Sequence, residues 1–202
     1  MTFPSFFSDI PPIVVHDRLA EFLGAAEGGI IEYRYADAVK LAGHSCPTVA
    51  GAYLLARRAL AALYPDALPE RGDIQVEFRN AQENGVTGVI AAVVGLITGA
   101  AGVGGFKGIA GRFSRRDLLR FDDPDQPGEV AFMRRDNGKR FELTLHLEQV
   151  PPDPRTAPLL QRLLAGESDP AIARAFADLW QERVRRILVD HIDDQRLEIG
   201  RA

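Results

Sequence analysis

The only cysteine in this 202-residue chain, Cys46, stands immediately before a proline that opens a helix-forming run. One cysteine permits no internal disulfide and no cysteine-rich metal ribbon, so the fold has to come from a buried apolar core. Pro47 suits the first turn of a helix, because it lacks the N–H that would go unpaired there and its φ is already helical. Residues 48–64 are rich in Ala and Leu and predict a helix, with Val49, Tyr53, Ala56, Leu60 and Leu63 on one face and Cys46 at the N-cap. Tyr64-Pro65 ends it. A thiol in that position faces the positive end of the helix dipole, which favours the thiolate, the form that attacks carbon and the form that binds metal. His44 lies two residues earlier, in chain that need not be helical, and can turn toward the same point. His44 and Cys46 are therefore a candidate cation-holding pair; a buried thiol beside a satisfied imidazole is the plain structural alternative.

A chain of this length suits one domain, with room for an appendage, and can bury an ample core. The net charge of −4 gives no reason to expect nucleic acid or an anionic membrane as partner. The opening stretch, MTFPSFFSDIPP, has no early Lys or Arg and no long apolar run, so neither a signal peptide nor a membrane span is expected. The most apolar run, residues 86–103, is broken by glycines and reads as buried structure. With the lone cysteine, these features suggest a cytoplasmic protein.

Along the chain, Phe3, Phe6 and Phe7 are expected to dock on the core or on a partner subunit. Residues 13–25 read as a helix with the stripe Val14, Leu19, Phe22 and Leu23, His16 and Asp17 at its start, and Gly28-Gly29 as its stop. Strand formers fill residues 30–35, and residues 36–41 suggest a short helix. Ile74, Val76 and Phe78 alternate with Gln75, Glu77 and Arg79 as in a half-buried strand. In residues 84–105, Val86, Val89, Ile90, Val93, Val94 and Ile97 fit a buried helix, although their β-branching would also suit a strand, and the run Gly99, Gly102, Gly104 and Gly105 follows. Such a run makes a tight turn, or brings backbone N–H groups to an anion with Lys107 adding charge. Residues 107–113 and 115–121 look strand-like, and the second piece is basic and expected to pair with an acidic neighbour such as Asp122-Asp123. Residues 129–134 and 140–147 form a hairpin around Asp136-Asn137-Gly138, with Phe141, Leu143, Leu145 and Leu147 on one face and His146 on the other. Beyond a proline-rich boundary at 151–154, two helices are expected, at 156–165 and 170–193. Asp169-Pro170 starts the second, whose stripe includes Phe176, Trp180, Val184, Ile187 and Leu188.

Gly43-His44-Ser45-Cys46-Pro47, with Gly51 in the new helix, resembles the GHxCP signature of the FmdE-like family, which takes its name from a component of formylmethanofuran dehydrogenase. Leu96-Ile97-Thr98-Gly99 followed by Gly105-Phe106-Lys107-Gly108 resembles that family's TG-then-GKG segment. The resemblance spans residues 12–150. It implies an α+β domain over 1–150, a helix-strand-helix-three-strand core on a mixed sheet. The helical extension, 151–202, lies outside the resemblance, and its amphipathic stripe is expected to pack on that domain or on a partner subunit. The resemblance also implies a metal site that includes His44 and Cys46, a homodimer, and association with a molybdenum- or tungsten-type oxidoreductase, the reaction being unassigned. The chain departs from the family at Ala100, where members often carry a second cysteine, and in lacking a zinc ribbon. A divalent metal here, with zinc suited to a mixed sulfur and nitrogen site, needs a third donor. His16 is favoured; Asp37 and His146 are the other candidates, as ligands or as groups orienting the imidazole. Two other readings stay open. One is a metal-independent thiol enzyme with Cys46 as nucleophile and His44 as base. The other is a binding or assembly module in which the loop of Gly104, Gly105 and Lys107, with the basic residues 112–120, holds an anionic cofactor or a redox partner.

Overall fold

The computed structural model describes residues 2–201 and has an α+β architecture. Its centre is one helix, Pro47–Leu63 (the third in chain order, α3). Cys46 caps it in extended conformation, with the thiol sulfur accepting the Val49 N–H at 3.5 Å. Val49, Ala50, Ala52, Tyr53, Ala56, Ala59 and Leu63 are all fully buried, so this helix is covered on nearly every side. Gly51 marks its closest approach to the sheet: a Cβ there would sit 2.3 Å from a Leu145 methyl carbon.

The helix packs on a five-stranded sheet of β3 (Ile74–Phe78), β4 (Leu119–Arg120), β5 (Val130–Arg134), β6 (Arg140–Leu145) and β7 (Glu198–Arg201), in the order β4-β3-β5-β6-β7. β3 and β4 are parallel and the other neighbours antiparallel, so the sheet is mixed. The hairpin expected around Asn137-Gly138 joins β5 to β6: Gly138 adopts φ +74°, and Asn137 accepts the Lys139 N–H. α4 (Thr87–Thr98) lies against α3 and ends at Gly99, which is left-handed. Among the described residues, no helix is long and apolar enough to cross a membrane.

Several segments differ from the sequence expectation. Residues 13–25 are not one helix. Ile13–His16 forms β1, paired antiparallel with β2 (Ile30–Tyr33), and only Arg18–Phe22 is helical, as α1. The β-branched run Ile13-Val14-Val15 buries Ile13 and Val15 and leaves Val14 outward, a period of two that outweighs the weaker helical stripe. Asp17 becomes the cap of α1, accepting the Leu19 and Ala20 N–H groups. Residues 107–113 do not form a strand, because Gly108, Ala110, Gly111 and Phe113 all have positive φ and turn the chain back on itself. In residues 115–121 only β4 is extended.

α2 (Tyr35–Ala42) forms as expected and ends at left-handed Gly43. α5 (Thr156–Leu164) and α6 (Pro170–Arg185) also form, α6 running on into a π-helical turn at Arg186–Asp190. The final segment is not purely helical, since β7 joins the sheet beside β6. Val184, Ile187, Leu188 and Leu197 enter the same core as α3, so residues 184–197 help to close that core. The N-terminal phenylalanines dock on the chain's own core, Phe7 edge-on to Tyr35 at 4.8 Å.

Candidate functional site: an arginine-lined cleft

His44 and Cys46 flank Ser45, which fastens this loop to α6. The Ser45 carbonyl accepts N–H bonds from Trp180 (3.0 Å) and Gln181 (3.2 Å), and its hydroxyl donates to Gln181 Oε1 at 2.9 Å. Tyr35 reaches the same hydroxyl at 3.0 Å. Cys46 is buried. His44 is exposed, and its Nδ1 is 2.9 Å from the Ala42 carbonyl. Asp37 does not orient His44. The left-handed turn at Gly43 breaks the helical face that would align them, and Asp37 instead accepts the Arg34 N–H and pairs with Lys40 at 3.0 Å. His146 stands at the end of β6, with Nδ1 2.8 Å from Glu148. Both ring nitrogens of His16 are engaged, Nδ1 with Glu70 at 2.9 Å and Nε2 with Glu21 at 3.1 Å. Among the described residues, no group of three or more His, Cys, Asp and Glu side chains is arranged to hold a metal ion. Cys46 and His44 alone are fewer donors than the three or four protein ligands of a zinc site.

In the glycine loop, Gly105 is required by packing, because a Cβ there would lie 2.7 Å from Ala101 Cβ. Its N–H is spent on the Gly102 carbonyl, while Gly104 faces open space. Lys107 is exposed. The loop's role is to carry the chain into the turn at 108–113, which delivers the next basic residues to a different place.

That place is a cleft of about 250 Å³ lined by Arg18, Arg71, Arg112, Arg115 and Arg135, with Glu70 and Asp73 as its acids among the described residues. Four segments meet here. The end of β1 is clasped by residues 69–71: His16 N–H bonds the Pro69 carbonyl at 2.9 Å, and Arg71 N–H bonds the His16 carbonyl at 2.7 Å. Gly72 N–H bonds the Thr98 carbonyl at 2.7 Å, which ties that segment to the end of α4. The Arg115 carbonyl accepts the Ala101 N–H at 3.1 Å and holds the last segment.

Behind the cleft wall sits Asp17, 2 % exposed. It takes Arg71 Nη1 at 2.7 Å on one oxygen and Arg115 Nη2 at 2.6 Å on the other. Burial alone would raise the Asp17 pKa, but the hydrogen bond from Arg71, the Ala20 amide and the charge of Arg115 bring it below the usual carboxylate range. Burial lowers the Arg115 pKa, against the pull of Asp17, and the group stays cationic at neutral pH. Arg71 also donates to the Leu96 carbonyl at 3.0 Å, at the negative end of α4. Gly72, at φ +86°, makes room for Arg115: a Cβ there would fall 1.1 Å from Nη1.

The other arginines are less committed. Arg18 approaches Glu70 at 3.4 Å and Arg135 approaches Asp73 at 3.6 Å. Arg112 has no acidic partner among the described residues; its guanidinium lies 4.8 Å over the Phe113 ring. Ala110, Phe113 and Asp117, on the loop carrying Arg112 and Arg115, are non-glycine residues with positive φ. Left-handed non-glycine residues cost of order 1–3 kcal/mol each and gather where the chain must place a functional group.

The basic segment beginning at residue 112 was legible as charge, but its partner was not. Arg115 meets buried Asp17 and leaves Asp122-Asp123 aside. Asp17 was visible only as an acid at an expected helix start, and Arg71 had no distinguishing signal beyond the glycine that follows it. No family model matches this chain, and no curated protein matches it.

Proposed function

We propose that this chain is a binding module whose ligand is a small anion held in the arginine-lined cleft. The supporting observation is the imbalance of charge there. Among the described residues, five guanidinium groups line the cleft against two carboxylates, with Asp17 a third behind the wall, in a protein that is acidic overall. Arg71 and Arg115 are held from behind by Asp17, and Arg112 stands at the cleft without an acidic partner among the described residues. Guanidinium groups bind carboxylate and phosphate oxygens in pairs, and fixing them beforehand removes much of the ordering cost of binding. Calorimetric titration with inorganic phosphate and with citrate at low salt tests this. Saturable binding is expected, weakened about tenfold by Arg112→Ala, the loss of one charge-assisted contact. Binding equal to that of chloride, or unaffected by Arg112→Ala, refutes it.

A second reading, divalent metal on Cys46 and His44, draws on the resemblance to the FmdE-like family. It also draws on the place of the Cys46 thiol at a helix start, where its sulfur accepts the Val49 N–H. In that reading the chain is a cytoplasmic homodimer serving a molybdenum- or tungsten-type oxidoreductase, with further donors completing a zinc site. Metal content by mass spectrometry, in the natural protein and in Cys46→Ala, is its test; equal occupancy in the two removes it. A metal-independent thiol nucleophile has less support, since Cys46 is buried and the His44 Nδ1 is turned to a backbone carbonyl.

A further inference from the structure

A second concavity, separate from the arginine cleft, lies where α4 and β5 begin and β3 and β6 end. Its volume is about 360 Å³. Leu55 of α3, Phe78 of β3, Val130 of β5, Leu145 of β6 and Ile90 of α4 give it an apolar floor, all from regular elements. Rigid walls of this kind are what a preformed small-molecule site requires.

The polar groups around that floor are only partly spent. Asn80, Asn84 and Thr87 line the concavity, and none of their side chains makes a hydrogen bond among the described residues. Glu129 gives one oxygen to the Leu145 N–H at 3.1 Å and keeps the other. Glu148, at the rim, is shared with His146 at 2.8 Å. No Lys, Arg or His among the described residues lines the concavity. An apolar floor under two carboxylates and no fixed cation disfavours an anion and favours an ammonium group on an apolar body.

We propose that this concavity is a binding site for a small primary amine with an aromatic or branched apolar body. The apolar part fills the space over Leu55, Phe78 and Ile90. The ammonium donates to the open oxygen of Glu129, with Asn84 and Thr87 completing its shell. The site carries charge opposite to that of the arginine cleft, so its occupant is chemically distinct from the anion proposed above.

The test is a titration of isotopically labelled protein with 2-phenylethylamine and, separately, with 3-phenylpropionate, a body of similar size with the opposite charge. Saturable amide shifts at Thr87, Ile90, Glu129 and Leu145 are expected with the amine and not with the acid. Glu129→Gln keeps the acceptor for the Leu145 amide and is expected to weaken the amine about tenfold, the worth of one charge-assisted contact. Ile90→Trp, which fills the space, is expected to abolish the shifts. No saturable shift with the amine overturns the proposal. So does equal binding of the acid, or unchanged affinity in a folded Glu129→Gln protein.

Discussion

Replacing Asp17 by Asn leaves two buried or half-buried guanidinium groups without their shared counter-charge. The size of the effect follows from the geometry. Asp17 accepts from Arg71 at 2.7 Å and from Arg115 at 2.6 Å, and the three side chains are 3 %, 20 % and 9 % exposed in that order. Hydrogen bonds to charged groups contribute about 1.5–3 kcal/mol each. Removing one partner of a buried ion pair costs about 3–5 kcal/mol, because the remaining charge stays desolvated. Asn keeps an acceptor for the Leu19 and Ala20 amides, so the α1 cap survives, and Arg71 regains some water. The loss should therefore fall near ~3 kcal/mol, the lower end of that range. For a chain of this length, that lowers Tm by about 6–12 °C. Urea denaturation of the natural protein and Asp17→Asn at neutral pH gives the difference directly.

The pH dependence supplies a second reading of the same experiment. The folded-state pKa of Asp17 is depressed, so its stabilisation is present above the ordinary carboxylate value near ~3.9 and is lost as pH falls through the folded value. The gap between the two proteins should be full at neutral pH and close below about pH 4. A loss under ~1 kcal/mol, the range of an exposed pair, would refute the view that Asp17 holds the cleft together.

His16 titrates in the opposite sense. Its hydrogen bond to Glu70 raises its pKa against a smaller effect of burial, so its stabilisation is complete below about 6.5 and is lost as pH rises through the higher folded value. A nuclear magnetic resonance titration should place the His16 midpoint above that of a free imidazole, and a midpoint at or below it contradicts the Glu70 contact. Gly72→Ala should cost more than ~2 kcal/mol, from a left-handed φ and displacement of Arg115, and should weaken phosphate binding. Chemical denaturation and phosphate calorimetry on one preparation check both halves of that expectation.

Elements with local signals are legible in the order of residues alone. α3 follows from Pro47 and the Ala- and Leu-rich run behind it, α6 from Asp169-Pro170 and its apolar stripe, and the β5–β6 hairpin from Asn137-Gly138. Each depends on residues a few positions apart, which backbone geometry brings together wherever the chain folds. The same local reading misjudges residues 13–25, where pairing with β2 and burial of Ile13 and Val15 decide between two competing periods.

The cleft, by contrast, exists only once the chain has folded. Asp17 and Arg71 are 54 positions apart, and Asp17 and Arg115 are 98 apart. No sequence period connects them; they meet because β1, the approach to β3 and the end of α4 converge on one point. A lone acid and scattered arginines look like ordinary surface charge until burial strips away their water. The need to satisfy those desolvated charges then makes the pairing specific.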